Sequence, residues 1–319
     1  MRCTALAFVL VLTAACGTAR ALDNFPTATV KIIVPTAPGG TADAVPRILA
    51  EALGPIWNHP IVIETVAGGG GNIGAELFSR ATPDGHTLFA TPPNALAINQ
   101  YLYRKINYDP KTFEPIAILA TSPNVLVTSP KLGVNTVSEL IAKAKARRLS
   151  YASQGAGSTG HLTGALFETM AGVTLTHVPY RGTAPALTDL IGGHVDLIFD
   201  NLASSLPHHR SGALKIIAVC SADRLAALPD IPTVAEAGLP GFQSVSWFAL
   251  AAPQGTPREA VARINADVAA ALKTPPVRDK FLALGLDVVG GSPADAAAFL
   301  DRERSRWSQV IEKAGLKID

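Results

Sequence analysis

Two segments of this chain run from a short apolar strand, through a glycine-rich turn, into the start of a helix. In the first, residues 30–34 (VKIIV) lead to Pro35-Thr36-Ala37-Pro38-Gly39-Gly40-Thr41 and a helix from about Ala42. In the second, residues 149–153 (LSYAS) lead to Gln154-Gly155-Ala156-Gly157-Ser158-Thr159-Gly160 and a helix from about His161. A helix start carries unpaired N–H groups and the positive end of the helix dipole, so it attracts anions. Glycine lets a ligand approach that backbone closely. Two such ends, far apart in the sequence, predict two lobes gripping one anionic ligand.

Other chemistries fit these residues less well. Gly155 to Gly160 matches the G-x-G-x-x-G dinucleotide fingerprint, which also needs an acidic residue at the end of the next strand. His177-Val178-Pro179-Tyr180-Arg181 stands there instead, with no carboxylate. Ala156-Gly157-Ser158-Thr159-Gly160 resembles a loosened nucleophile elbow. A serine hydrolase would use Ser158 with Asp196 or Asp200 and then His208 or His209, and this stays open as an alternative. Against it, the two histidines adjoin Arg210 in a polar segment and no HGGG-type oxyanion loop is present. Asp43 lies in the first turn of its helix, where it can pair with Arg47 four residues on. It can also order the loop or a bound water, or meet a ligand ammonium; against a ligand carboxylate it would repel. None of the seven histidines shows metal-ligand spacing, and only His161, at the second helix start, stands out. Gly68 to Gly71 reads as a flexible strand–helix turn or as a further anion loop, and Trp247 reads as core.

The elements that position these loops alternate strand and helix almost throughout, which implies α/β architecture with mainly parallel sheets. In such sheets ligands bind beyond the carboxyl ends of strands, where both glycine loops fall. Thr136-Val137-Ser138-Glu139 is a capping box opening an amphipathic helix to Arg147. Strands are expected over 195–199, 213–220 and 244–252, and helices over 257–272, 276–284 and 293–313. Residues 113–124 show no helix pattern and could cross between lobes, with the strand at 244–252 crossing back. The expected division is 1–21 as leader, 22–122 plus 245–319 as a discontinuous first lobe, and 123–244 as the second.

Arg2, the apolar stretch from Ala5 to Ala15 and the small-x-small run Ala19-Arg20-Ala21 fit a cleaved secretory signal, with a mature start near Leu22. A lipoprotein built on Cys16 is the second export reading, though Leu12 stands one place early for it. Cys220 is then the single mature thiol, so an intramolecular disulfide is impossible and the core must hold the fold. Losing Arg2 and Arg20 takes the formal charge of +2 to neutral, and no basic face suggests nucleic acid.

The ordered set of motifs resembles the Bug-type solute receptors of tripartite tricarboxylate transporters. The landmarks are Phe25-Pro26; Val34 to Asp43; Gly69-Gly70-Gly71-Asn72-Ile73-Gly74; Pro83-Asp84-Gly85-His86-Thr87-Leu88; and Gly157-Ser158-Thr159-Gly160-His161-Leu162. Further on stand Val178-Pro179-Tyr180-Arg181-Gly182, Leu228 to Glu236, and Ala252-Pro253-Gln254-Gly255-Thr256-Pro257. The resemblance implies a two-lobed, periplasmic-binding-protein-like type II fold, each lobe a mixed sheet flanked by helices, with a ligand cleft between the lobes. It implies a periplasmic receptor without catalytic chemistry, cofactor or metal. Such a receptor binds a small carboxylate, partly through ordered water, and works as a monomer delivering it to membrane permease subunits. A sensory partner of a membrane kinase would have the same fold and site. Carried over by position, Thr36, Gly39, Gly40, Thr41, Ala42 and Asp43 form one jaw, and Gly157, Ser158, Thr159 and His161 the other. Asn94 and Asn201, at strand ends, are expected to read the distal part of the ligand. Ala37-Pro38 departs from the family pattern and bears on ligand choice; Pro46 departs too, in a first turn that tolerates it.

Overall fold

A computed structural model describes residues 25–313 and 315–318. The leader at 1–21, the Cys16 alternative and the start at Leu22 lie outside the described residues. The chain opens with β1 (Val30–Val34), α1 (Thr41–Trp57), β2 (Ile61–Thr65), α2 (Asn72–Ser79) and β3 (Thr87–Thr91). A π-type turn over Asn94–Ile98 tightens into α3 (Asn99–Leu102), and the long β4 (Glu114–Thr128) follows. Next come α4 (Val137–Ala146), β5 (Leu149–Ser153), α5 (Thr159–Ala171), β6 (Leu175–Pro179) and α6 (Thr183–Gly192). They lead to β7 (Leu197–Asn201), α7 (Leu202–Arg210), β8 (Lys215–Val219) and β9 (Val245–Ala252). The last elements are α8 (Arg258–Lys273), α9 (Pro275–Ala283), β10 (Asp287–Gly290) and α10 (Pro293–Lys313).

The strand order β2-β1-β3-β9-β4-β7-β5-β6 makes a mixed sheet on each side of β4, one per lobe. Residues 114–123 of β4 pair antiparallel with β9, and residues 124–128 pair with β7 and β8. Strand alternation sends successive side chains to opposite faces. In β1, Val30, Ile32 and Val34 join one apolar cluster with Leu49 of α1 and Ile264 of α8, while Ile33 joins another with Phe78, Phe89 and Trp307. In β7, Leu197 and Phe199 pack with Tyr151 and Phe167, and Ile198 packs with Leu187 and Leu206 on the reverse side. Each lobe is therefore a sheet covered on both faces. Each buried aliphatic or aromatic side chain contributes on the order of 1.5–3 kcal/mol.

The crossing between lobes is polar and fully buried. Asn124 Nδ2 donates to Ser244 Oγ (2.8 Å) and Thr163 Oγ1 (3.1 Å), and the two hydroxyls pair with each other. Thr163 also donates to the Thr159 carbonyl (2.6 Å), which ties the crossing to the first residue of α5. The Cys220 N–H donates to the Asn124 carbonyl, and its thiol is sealed in the core with its pKa pushed up by burial.

Several elements differ from the sequence expectation. Residues 114–124 do cross between the lobes as expected, and what the sequence did not show is that they continue as one strand to Thr128. Pro115 lacks an N–H, and the pairing with β9 shifts register between Pro115 and Ala117 and again between Ile118 and Ala120. The strand expected at 195–199 begins at Leu197, because Asp196 is held in a turn by Ser150 N–H (2.8 Å) and Arg147 (2.9 Å). Helix α7 was hidden by Pro207, and its last turn carries His208, His209 and Arg210, the last a cation placed where it favours the helix dipole. The capping box holds with an offset: Thr136 Oγ1 caps Glu139 N–H at 3.2 Å, while Glu139 reaches Asn135 N–H (2.6 Å).

Helix α10 is anchored by one largely buried carboxylate. Glu303 Oε2 accepts from the indole N–H groups of Trp247 in β9 (2.8 Å) and Trp307 (3.1 Å). Replacing Glu303 with Leu strands both donors away from water. The expected loss is about 2–4 kcal/mol, read as a lower urea midpoint at unchanged m.

Candidate functional site

A cavity lies where the two lobes meet. Its wall includes the N-cap residues of four helices: Gly40 of α1, Ser158 of α5, Gly182 of α6 and Asn201 of α7. Each terminus carries roughly half a positive charge. No Lys, Arg, His, Asp or Glu lines this wall. The N–H groups of the lining residues Gly40, Ala42, Thr159 and Thr183 meet no protein acceptor among the described residues. Five side-chain atoms on the same wall are also buried without a partner: Thr36 Oγ1, Asn94 Oδ1, Gln154 Oε1, Asn201 Oδ1 and Ser246 Oγ. Buried polar groups are normally satisfied, so this concentration marks a place for a polar guest.

Of the residues singled out from sequence, the structure brings Thr36, Gly40, Ala42, Asn94, Ser158, Thr159 and Asn201 together on the cavity wall. It places Gly39, Thr41, Asp43, Gly157 and His161 behind it, in supporting positions. Asp43 spends one oxygen on Gly39 N–H (3.0 Å) and the other on Arg47 Nε (2.9 Å), so it orders the first loop and pairs along the helix at once. Arg47 answers with a raised pKa, chiefly through that hydrogen bond. Thr41 offers its hydroxyl to the other lobe instead of to a ligand. Its N–H and Oγ1 both meet Ser204 Oγ of α7, at 3.1 and 2.8 Å.

Gly157 serves lobe contact. A Cβ there would stand 2.7 Å from Asn99 Oδ1 and 3.0 Å from Leu102 of the first lobe. Gly70 is its counterpart, where a Cβ would stand 2.4 Å from the Ala156 carbonyl. The turn over Gly69–Gly71 thus touches the second jaw, and Ala37 N–H donates to the Arg181 carbonyl (3.2 Å) beside it. His161 braces its own loop: Nδ1 accepts Gly157 N–H (3.2 Å) and the ring stacks on His177 at 4.0 Å. Burial drives its pKa down to about 4, and burial together with His161 drives His177 to about 3.

Sequence reasoning missed Gln154, Gly182, Thr183 and Ser246. A signal existed for the α6 terminus, since β6, Gly182 and α6 repeat the strand–glycine–helix pattern. Ser246 sits inside a plain apolar strand and carried none. Gln154 Nε2 donates to the fully buried Asp200 (2.6 Å) and to the Phe199 carbonyl (3.2 Å), while Ser205 gives Asp200 a second donor at 2.7 Å. Burial lifts Asp200 to about 6, against the pull of these donors. Gly160 leaves room for this amide, because a Cβ there would stand 2.4 Å from Gln154 Oε1.

The nucleophile alternative finds no geometric support. Ser158 Oγ accepts His161 N–H (3.2 Å) as a helix cap. Asp196 is engaged by Arg147 and Ser150, and His209 Nδ1 accepts Ile216 N–H.

These buried groups set a pH dependence. The folded pKa values of both imidazoles lie below the unfolded value near 6.5. Their contribution to stability is full above pH 6.5 and is lost as pH falls toward 4. Asp200 acts in the opposite sense, since its folded pKa is raised from 3.8. Two imidazoles outweigh one carboxylate, so the Tm set by these groups falls between about pH 6.5 and 4.5. In His177→Leu that fall should be visibly shallower in a thermal melt series; an unchanged slope would mean His177 takes up no proton on unfolding.

Known proteins resemble this chain in sequence and fold. The profile of the tripartite tricarboxylate transporter family receptor matches residues 45–316. Protein BugT of Bordetella pertussis is 35% identical over 323 aligned positions, covering 99% of this chain and 98% of BugT. Among solved structures, Rpa4515 of R. palustris with adipate is 40% identical with a TM-score of 0.90, covering 92% of this chain and 99% of that one. MatC from Rhodopseudomonas palustris with bound malate is 35% identical with a TM-score of 0.86, covering 90% and 100%. With its two lobes and the ring of helix termini between them, the chain belongs to the tripartite tricarboxylate transporter receptor family.

Proposed function

We propose that this chain is a periplasmic solute receptor that closes on a small carboxylate and delivers it to the membrane permease subunits of a tripartite tricarboxylate transporter. The observation that carries the reading is the set of unpaired N–H groups at Gly40, Ala42, Thr159 and Thr183 on a cavity wall without ionised side chains. Such a wall suits an anion held by dipoles. The relatives with adipate and malate support a carboxylate as that anion. Export by a leader ending at Ala21, action as a monomer and absence of catalytic chemistry complete the proposal.

In this reading a carboxylate accepts backbone bonds from both jaws, and the Ser158 and Thr159 hydroxyls add to them. Asn94 and Asn201 face the remainder of the ligand. The lobes are taken as 22–122 plus 245–319 and 123–244, and the change of β4 partners around Pro123 and Asn124 supports a hinge there. Closure presents a joint surface of both lobes to the permease. Among the described residues no helix is long and apolar enough to cross a membrane.

A thermal-shift panel of C4–C6 carboxylic acids tests the reading. At about 100 times its Kd a true ligand adds about 2.7 kcal/mol and raises Tm in a dose-dependent way. Ser158→Gly keeps a residue tolerated at a helix cap but removes the hydroxyl. A charge-assisted bond is worth about 1.5–3 kcal/mol, so Kd should rise about tenfold or more. Undiminished affinity would remove Ser158 from the site.

A further inference from the structure

The cavity's unpartnered atoms are not all donors, and this bears on what the solute carries besides its carboxylate. Asn94 Nδ2 donates to the Gly70 carbonyl. Turning that amide over would set oxygen against oxygen, so the network fixes Oδ1 as the side left without a partner. Asn201 is the N-cap residue of α7, where an asparagine oxygen normally accepts a first-turn N–H. Here it makes no such bond, so its side chain is left free at the same wall and can turn its amide oxygen toward a donor. Both residues are more than nine-tenths buried. A carboxylate oxygen cannot satisfy a carboxamide oxygen, whereas an O–H or N–H can.

The charge around the cavity decides which donor. An ammonium would sit among four positive helix termini with no carboxylate to neutralise it. Asp43 is committed to Gly39 and Arg47, and Asp200 is sealed behind Gln154 and Ser205. A neutral donor meets no such penalty. Resting on the carboxylate reading above, we propose that the preferred solute is a hydroxycarboxylate whose hydroxyl donates to the amide oxygen of Asn94 or Asn201. A site with a buried acceptor discriminates strongly against an analogue that lacks the matching donor.

The test is isothermal titration of the mature protein with matched pairs: malate against succinate, 2-hydroxyglutarate against glutarate, and aspartate as the ammonium counterpart of malate. The expected result is that at least one hydroxy acid binds tenfold or more tighter than its deoxy partner, with aspartate weaker than malate. The double variant Asn94→Leu and Asn201→Leu, checked for an intact fold by circular dichroism, should lose that preference. Succinate and glutarate each binding as tightly as its hydroxylated partner would overturn the hydroxyl inference and leave the carboxylate reading standing. Aspartate binding more tightly than malate would likewise overturn the choice of a neutral donor. Failure of every acid to bind, with a ligand lacking any carboxylate recovered from the protein by denaturing extraction, would overturn both.

Discussion

The constraint on which this molecule turns is the unpaired N–H group at a helix start. Every helix leaves such groups at its first turn, and burying them without an acceptor costs free energy. Here the starts of α1, α5, α6 and α7 are directed at one cavity. Their summed dipoles attract an anion without any cationic side chain. A neutral wall has a consequence for release. With no salt bridge to break, the hold on a ligand depends on how many termini surround it, and that number is set by the approach of the two lobes.

That approach is built into the glycines. Gly70 and Gly157 leave space for atoms of the opposite lobe, the Ala156 carbonyl at the first and the Asn99 and Leu102 side chains at the second, where a further side chain would hold the lobes apart. Thr41 with Ser204, and Ala37 with Arg181, fasten the same seam with neutral hydrogen bonds. Each is worth about 0.5–1.5 kcal/mol net, small enough for ligand binding to shift the balance between separated and joined lobes. The hydrogen-bonded chain Thr159, Thr163, Ser244 and Asn124 links the start of α5 to the place where β4 changes partners.

Much of this was legible in the sequence, for reasons that are local. The short apolar runs at β1 and β7 and the two strand–glycine–helix turns are short-range signals, and they located the jaws. What escaped was set by tertiary register. Ser246 reaches the cavity only because β9 runs beside β4, and nothing around it marks that position. Thr41 and Gly157 carried a correct local signal, an open helix start, but the neighbour that uses it is the other lobe. The helix over Leu202–Arg210 looked like a polar connector because Pro207 and its basic end obscured an apolar face that packs on β8.

The most direct test of the central claim is the amide NMR spectrum of the protein saturated with a carboxylate that binds. The amide protons of Gly40, Ala42, Thr159 and Thr183 should move downfield together as they gain a charged acceptor. Saturable binding that leaves those four resonances in place would contradict the account.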